Sequence, residues 1–174
     1  MSILNTLSNL GIPATLYGND PTNEDEYLVR VVAGDGFDLP SWASLDAARL
    51  SSAKAQKVAE AWRVMQSRVA LATVEVVTSA GTHTYGIDAT TQDNLQKALL
   101  GMIASLTPNP RPWTPKGMTA PVMLTHDDVR LVAGQVGATY DAFVQAYLAH
   151  KAVISGLADL IAVAAYDLNQ SWPS

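Results

Sequence analysis

Hydrophobic and polar positions along the chain divide it into alternating helical and extended stretches. The longest helical pattern covers residues 44–71, which contain no glycine after Ser44 and no proline. Alanine is frequent there, so intrinsic propensity favours helix throughout. Ser44 is the expected N-cap, with Asp46 in the first turn. Val58, Trp62, Met65 and Val69 follow one another at intervals of four, three and four, which places them on one stripe. Continued backward, the stripe becomes small, through Ala55, Ser51 and Ala48. The bulky half is expected to lie on the protein's own core. The small half is where another chain or helix can approach closely.

Residues 27–32, Tyr-Leu-Val-Arg-Val-Val, are β-branched and aromatic and predict a strand. Glycine and proline punctuate the chain around them, so residues 1–44 are expected to form a small β-rich or extended appendage. Phe37, Leu39 and Trp42 are expected to pack back onto something apolar. Residues 73–78 and 82–87 alternate and predict a hairpin across Ser79-Ala80-Gly81. Its buried face is expected to carry Val74, Val76, Tyr85 and Ile87, with His83 pointing outward.

A second helix is expected after Asp88, capped by Thr90 with Asp93 three residues on, its apolar face formed by Leu95, Leu99, Met102 and Ile103. Four prolines surround Trp113 in residues 107–115, so this stretch should be extended, with the indole plugging the core. Residues 120–124 predict a short third strand pairing with the hairpin. Thr125 and Asp128 form a capping box for a third helix, and its broad apolar face includes Val132, Val136, Tyr140 and Phe143. Gly134 and Gly137 suggest a close crossing, and His150 is placed near the helix end. A further helix is expected over residues 152–168, softened at Ser155-Gly156. The fold class is therefore α+β: a long N-terminal helix, a small antiparallel sheet of a hairpin plus a short third strand, and a helical C-terminal part. The expected division is an appendage at 1–44 and a compact domain at 45–174.

Composition narrows the function classes. Hydrophobic residues make up 48 % and charged residues 16 % of the 174, which describes a chain able to fold. The absence of cysteine excludes disulfide and thiolate chemistry. A net charge of −5 argues against general nucleic-acid binding. The charge is uneven: residues 1–44 carry −5, residues 45–71 carry +3 and the remainder −3. No secretory signal is recognisable, and the apolar run at 152–166 is too short for a membrane span and contains Asp159, so a soluble protein without membrane insertion is expected.

No catalytic, cofactor-binding or metal-ligating constellation emerges. The nucleophile elbow, phosphate loop, dinucleotide fingerprint and zincin helix are all missing. His126, Asp127 and Asp128 lack a remote partner that would complete a metal site. Glu75, Asp88, Asp127 and Asp128 are the acids nearest the expected sheet. The residues expected to contact a partner are Ala48, Ser51, Ala55, Val58 and Trp62 on the long helix, together with Tyr27, Trp42 and Trp113.

From Leu45 onward the order of features carries a resemblance. Its motif residues are Thr82, Asp88, Thr91, Trp113, Leu124, Thr125, Asp128 and Trp172. In these, residues 45–173 resemble a domain family of unassigned function that recurs in tailed-phage genes, near or within tail-fibre and tail-fibre-assembly loci. The resemblance implies a phage-tail context rather than a reaction. The expectation is a non-enzymatic tail protein that binds a tail-fibre or baseplate component, as virion adaptor or assembly chaperone, with self-association open. It would reside in the virion or, during assembly, in the host cytoplasm. The alternatives are a fibre-associated enzyme acting on host surface polymer and a self-assembling virion decoration protein.

Overall fold

The computed structural model describes residues 2–173. The fold is α+β, with long helices and small antiparallel sheets. The chain divides into two compact units, one formed by residues up to Glu60 with Ala152–Asp167, the other by Ala61–Lys151 with the residues from Leu168 onward. Two long helices, α3 (Trp42–Leu71) and α5 (His126–Gly156), contribute residues to both.

The first unit opens with α1 (Ile3–Asn9), where the Ser2 hydroxyl accepts from the Asn5 amide at 3.3 Å. Then follow β1 (Ala14–Leu16), α2 (Glu24–Arg30) and β2 (Val31–Ala33), with β1 antiparallel to β2 and Leu16 opposite Val31. The strand expected at 27–32 is thus mostly helix, and residues 1–44 are not β-rich. Local electrostatics overrides β propensity here. Asn23 caps α2 by accepting from the Glu26 amide at 3.0 Å, and Glu24, Asp25 and Glu26 fill the first turn. Arg30 closes the last turn, 3.5 Å from Glu26.

The region has its own core of Ile3, Leu7, Tyr27, Val31 and Leu45, with Ile12, Leu16, Leu39 and Trp42 packed on it. Full burial of each such side chain contributes about 1.5–3 kcal/mol. Leu45, the first residue of the expected compact domain, helps close this core. Helix α3 starts three residues earlier than the spacing suggests, because Ser41 is its cap: the Ser41 hydroxyl accepts from the Ser44 amide at 3.2 Å. Later in the chain, Lys54 Nζ donates to the Ser155 carbonyl at 2.8 Å. The expected helix at 152–168 is divided: α5 continues to Gly156, and α6 (Leu160–Ala165) starts anew on an Asp159 cap.

The second unit contains the hairpin β3 (Thr73–Thr78) and β4 (Gly81–Gly86), in the register Val74 opposite Tyr85 and Val76 opposite His83. Val76, Tyr85 and Ile87 are buried and Val74 half-buried, as alternation requires. The same alternation puts His83 on the Tyr85 face rather than the opposite one. It is half-exposed because it lies at the turn end of the ladder, its ring 3.0 Å from the Ala80 carbonyl oxygen.

Helix α4 (Ala89–Ile103) is capped by Asp88, two residues before the expected Thr90. It buries Leu95, Ala98 and Met102 but leaves Ile103 64 % exposed, on the turn facing solvent. The proline-rich stretch is extended as β5 (Arg111–Trp113), and it supplies the partner of β6 (Val122–Leu124). The expected third strand therefore pairs with the proline-rich segment and not with the hairpin. Two-stranded pairing tolerates Pro112, which has no amide hydrogen to donate.

The core of this unit joins Met65 and Val69 of α3 to Val76, Tyr85, Ile87, Leu95, Leu124, Val129, Val132, Val136 and Phe143. Helix α5 passes through Gly134 and Gly137 without a close neighbour: a Cβ at either would meet nothing within 4 Å. The expected close crossing is absent there. His150 lies six residues before the end of α5 and is buried, so it stacks on Trp172 at 4.6 Å instead of facing the helix terminus. Trp172 in turn donates to the Leu168 carbonyl at 2.6 Å, with the Arg68 guanidinium 5.8 Å from its ring.

Candidate functional site

The second unit contains a cleft of about 710 Å³. Three local features create it. The end of β4 supplies Tyr85 and Gly86, the first turns of α4 supply Asp88, Thr91, Asn94 and Lys97, and the proline-rich stretch supplies Arg111, Trp113, Thr114 and Lys116. The Lys116 amide donates to the Thr84 carbonyl at 2.8 Å, tying the extended stretch to the hairpin. Gly86 is required at the floor: a Cβ there would sit 2.7 Å from Asp88 Oδ2 and 3.2 Å from Thr91 Oγ1. Its absence lets the Asp88 carboxylate fold back and accept from the Thr91 amide and hydroxyl, both at 2.9 Å.

The cleft wall is cationic in an acidic protein. Lys97, Arg111 and Lys116 line it against the single carboxylate of Asp88. Hydrogen bonding from the Thr91 amide holds Asp88 below its ordinary range, outweighing the opposing effect of burial, so it is ionised at neutral pH. Lys97 is paired with Asp93 at the rim, at 2.5 Å. Arg111 Nε and Thr107 Oγ1 are buried without a hydrogen-bond partner. The Tyr85 hydroxyl is unpartnered too, and burial, followed by the Asp128 charge, raises its pKa and keeps it a neutral phenol. Unsatisfied buried donors are uncommon in native proteins, and both Thr107 and Arg111 border this one cavity.

The residues expected to contact a partner are distributed differently. In the first unit Ser51 and Ala55 are exposed, while Ala48 and Val58 are half-buried. Tyr27 is fully buried, its hydroxyl donating to the Pro40 carbonyl at 3.0 Å and its ring 5.6 Å from half-buried Trp42. These two aromatics meet each other in the core. In the second unit Trp62 is 39 % exposed and lies edge-on to Tyr147 at 5.1 Å. The buried line of α3 there runs through Ala61, Met65 and Val69, one position aside from Trp62. Trp113 is half-buried against the core and also lines the cleft.

The four acids do not converge. Glu75 is exposed on β3, and exposed Asp127 lies 3.4 Å from Arg130. Asp88 is the cap of α4, and Asp128, the third residue of α5, completes the capping box with Thr125. Asp128 accepts from the Thr125 amide at 2.9 Å and hydroxyl at 2.6 Å, and from the Ser79 amide at 2.8 Å and hydroxyl at 2.5 Å. Burial pushes its pKa up, but these bonds, led by the Ser79 hydroxyl, outweigh it and hold the carboxyl far below the usual range. Among the described residues no three His, Cys, Asp or Glu side chains are grouped to hold a metal. Sequence reasoning found Trp113 but missed Thr107, Arg111 and Lys116. The available signal was that two bases flank that tryptophan in an otherwise acidic half of the chain.

A protein-family profile described as domain of unknown function DUF4376 matches residues 42–169. The chain belongs to the DUF4376 family. The DUF4376 span contains α3, the three elements that build the cleft, α5 and α6, while α1, β1, α2 and β2 precede it. No curated protein and no solved structure matches the chain. No helix among the described residues of this DUF4376 protein is long and apolar enough to cross a membrane.

Proposed function

We propose that this DUF4376 protein is a non-enzymatic bacteriophage tail protein that binds a tail-fibre or baseplate component, as a virion adaptor or an assembly chaperone. The observation that carries the reading is the resemblance of residues 45–173 to a domain family recurring in tail-fibre gene clusters. A binding role is supported by the use of the acids nearest the sheet: Asp88 and Asp128 are both engaged in helix caps. It is further supported by apolar surface in the N-terminal region, where Tyr17, Leu28, Val29 and Val32 are each at least 53 % exposed within sixteen residues. These side chains are available for contact with a partner. On α3, Ser51 and Ala55 offer a low-relief strip suited to a second chain.

Mass spectrometry of purified phage particles and of isolated fibre complexes tests the proposal. Stoichiometric presence in particles identifies an adaptor, and presence only in fibre complexes identifies a chaperone. Absence from both rejects the reading.

A further inference from the structure

The cationic cleft of the second unit brings together side chains that also serve the α4 cap and the core. Its walls combine three kinds of group. Arg111 and Lys116 supply positive charge. Asp88 supplies a fixed negative charge, and its oxygens retain lone pairs beyond those bound by Thr91. Trp113 supplies an aromatic ring to the same lining.

A ligand complementary to this set must meet all three. The arginine and lysine call for an acidic group, because a guanidinium recognises a carboxylate through paired donors. The ionised Asp88 calls for hydroxyl donors in the same ligand and opposes a bare phosphate dianion. The indole calls for a compact body with one apolar face. A cavity of about 710 Å³ is within the range of small-molecule sites, which span about 300–1,000 Å³.

We propose that this cleft binds an acidic saccharide unit, its carboxylate on Arg111 and Lys116, a hydroxyl donating to Asp88, and its C–H face on Trp113. The inference uses only the second unit and stands whether or not the protein is a phage tail component. A free sugar acid and the terminal residue of an acidic polysaccharide share the recognised chemistry. Binding of the monosaccharide alone identifies the minimal unit, and at least about tenfold tighter binding of an oligouronate shows that neighbouring residues of a polymer are also held.

The test is a titration of the full-length ¹⁵N-labelled protein, followed through the Trp113 indole N–H and the Thr91 and Lys116 amides. The probes are D-glucuronate, D-glucose, inorganic phosphate and N-acetylaspartate. Saturable shifts of these resonances with D-glucuronate are expected at millimolar concentration. D-Glucose should bind at least about tenfold more weakly for want of the charge. Lys116→Ala, at an exposed turn, should weaken D-glucuronate binding several-fold, and Arg111→Gln should abolish it. Absence of saturable shifts with D-glucuronate overturns the proposal. Equal binding of phosphate or N-acetylaspartate overturns the saccharide assignment in favour of a general anion or peptide-carboxylate site. Because Arg111 is part of β5, its variant counts only if the hairpin resonances are unchanged. If it misfolds, Lys116→Ala decides, and unchanged affinity in that variant overturns the proposal.

Discussion

Asp128 concentrates more hydrogen bonds than any other carboxylate described above. It satisfies the first turn of α5 through Thr125 and also fixes the β3–β4 turn through Ser79. Asp128→Asn keeps the shape but exchanges an acceptor oxygen for a donor, leaving one of the Ser79 or Thr125 donors unpaired. We expect a loss of about 2 kcal/mol in urea unfolding. The pH dependence has a definite sign. The folded-state pKa lies below the unfolded one, so the contribution is complete above the unfolded value and is lost as pH falls through the folded value. Wild-type stability should therefore drop below about pH 4, near the unfolded carboxyl value, and this acid-dependent drop should be smaller in Asp128→Asn. Gly86→Ala is a second residue-scale case. Its Cβ would collide with Asp88 Oδ2, so the α4 cap must move, at a cost of about 1 kcal/mol or more measured by thermal unfolding. The Thr125–Asp128 pair was legible because a capping box is local, three residues apart. The Ser79 half of the cluster was not, since it comes from 49 residues away.

Among elements, α3 and the hairpin follow the sequence pattern closely, while α2 and the pairing of β6 do not. Helix α3 and the β3–β4 hairpin carry many consecutive positions that agree on one period, so their type and nearly their limits follow from pattern. Residues 27–30 instead combine strand-forming side chains with a strong helix start just upstream, and the cap with its three acids prevails. Pairing of β6 was illegible for a different reason. A short edge strand with a proline fits either the hairpin or β5, and only tertiary packing selects β5. The cleft followed the same limit, because its charged residues come from three elements. For α5, Gly134 and Gly137 occupy a continuous helix with open space at the Cβ positions. Gly134→Ala and Gly137→Ala should each stabilise the protein by about 0.5–1 kcal/mol, by restricting the unfolded chain. Calorimetry showing destabilisation would mean that the glycines permit a contact made only in an assembly.

At the scale of the whole molecule, each compact unit is built from two separated lengths of chain. The tail from Leu168 is part of the second unit, where Leu168 is buried and Trp172 covers His150. Truncation after Asp167 should cost about 3 kcal/mol or more, read as a fall in the urea midpoint. Ala55→Glu addresses association instead: Ala55 is exposed, so monomer stability should change by less than about 0.5 kcal/mol, while any oligomer seen by light scattering should dissociate. Persistence of the oligomer would remove the small-residue strip of α3 from consideration.

The interleaved segments also set an order of events on the ribosome. Residues up to Glu60 are synthesised first, yet their unit also requires Ala152–Asp167. Roughly 110 further residues must emerge before that unit has all its parts, a wait of roughly 5–20 s at ordinary elongation rates. The second unit has most of its chain by Lys151 but is complete only with the residues from Leu168 onward. The chain's earliest-made apolar residues, Ile3 and Leu7 among them, have all their buried core partners once Leu45 has emerged.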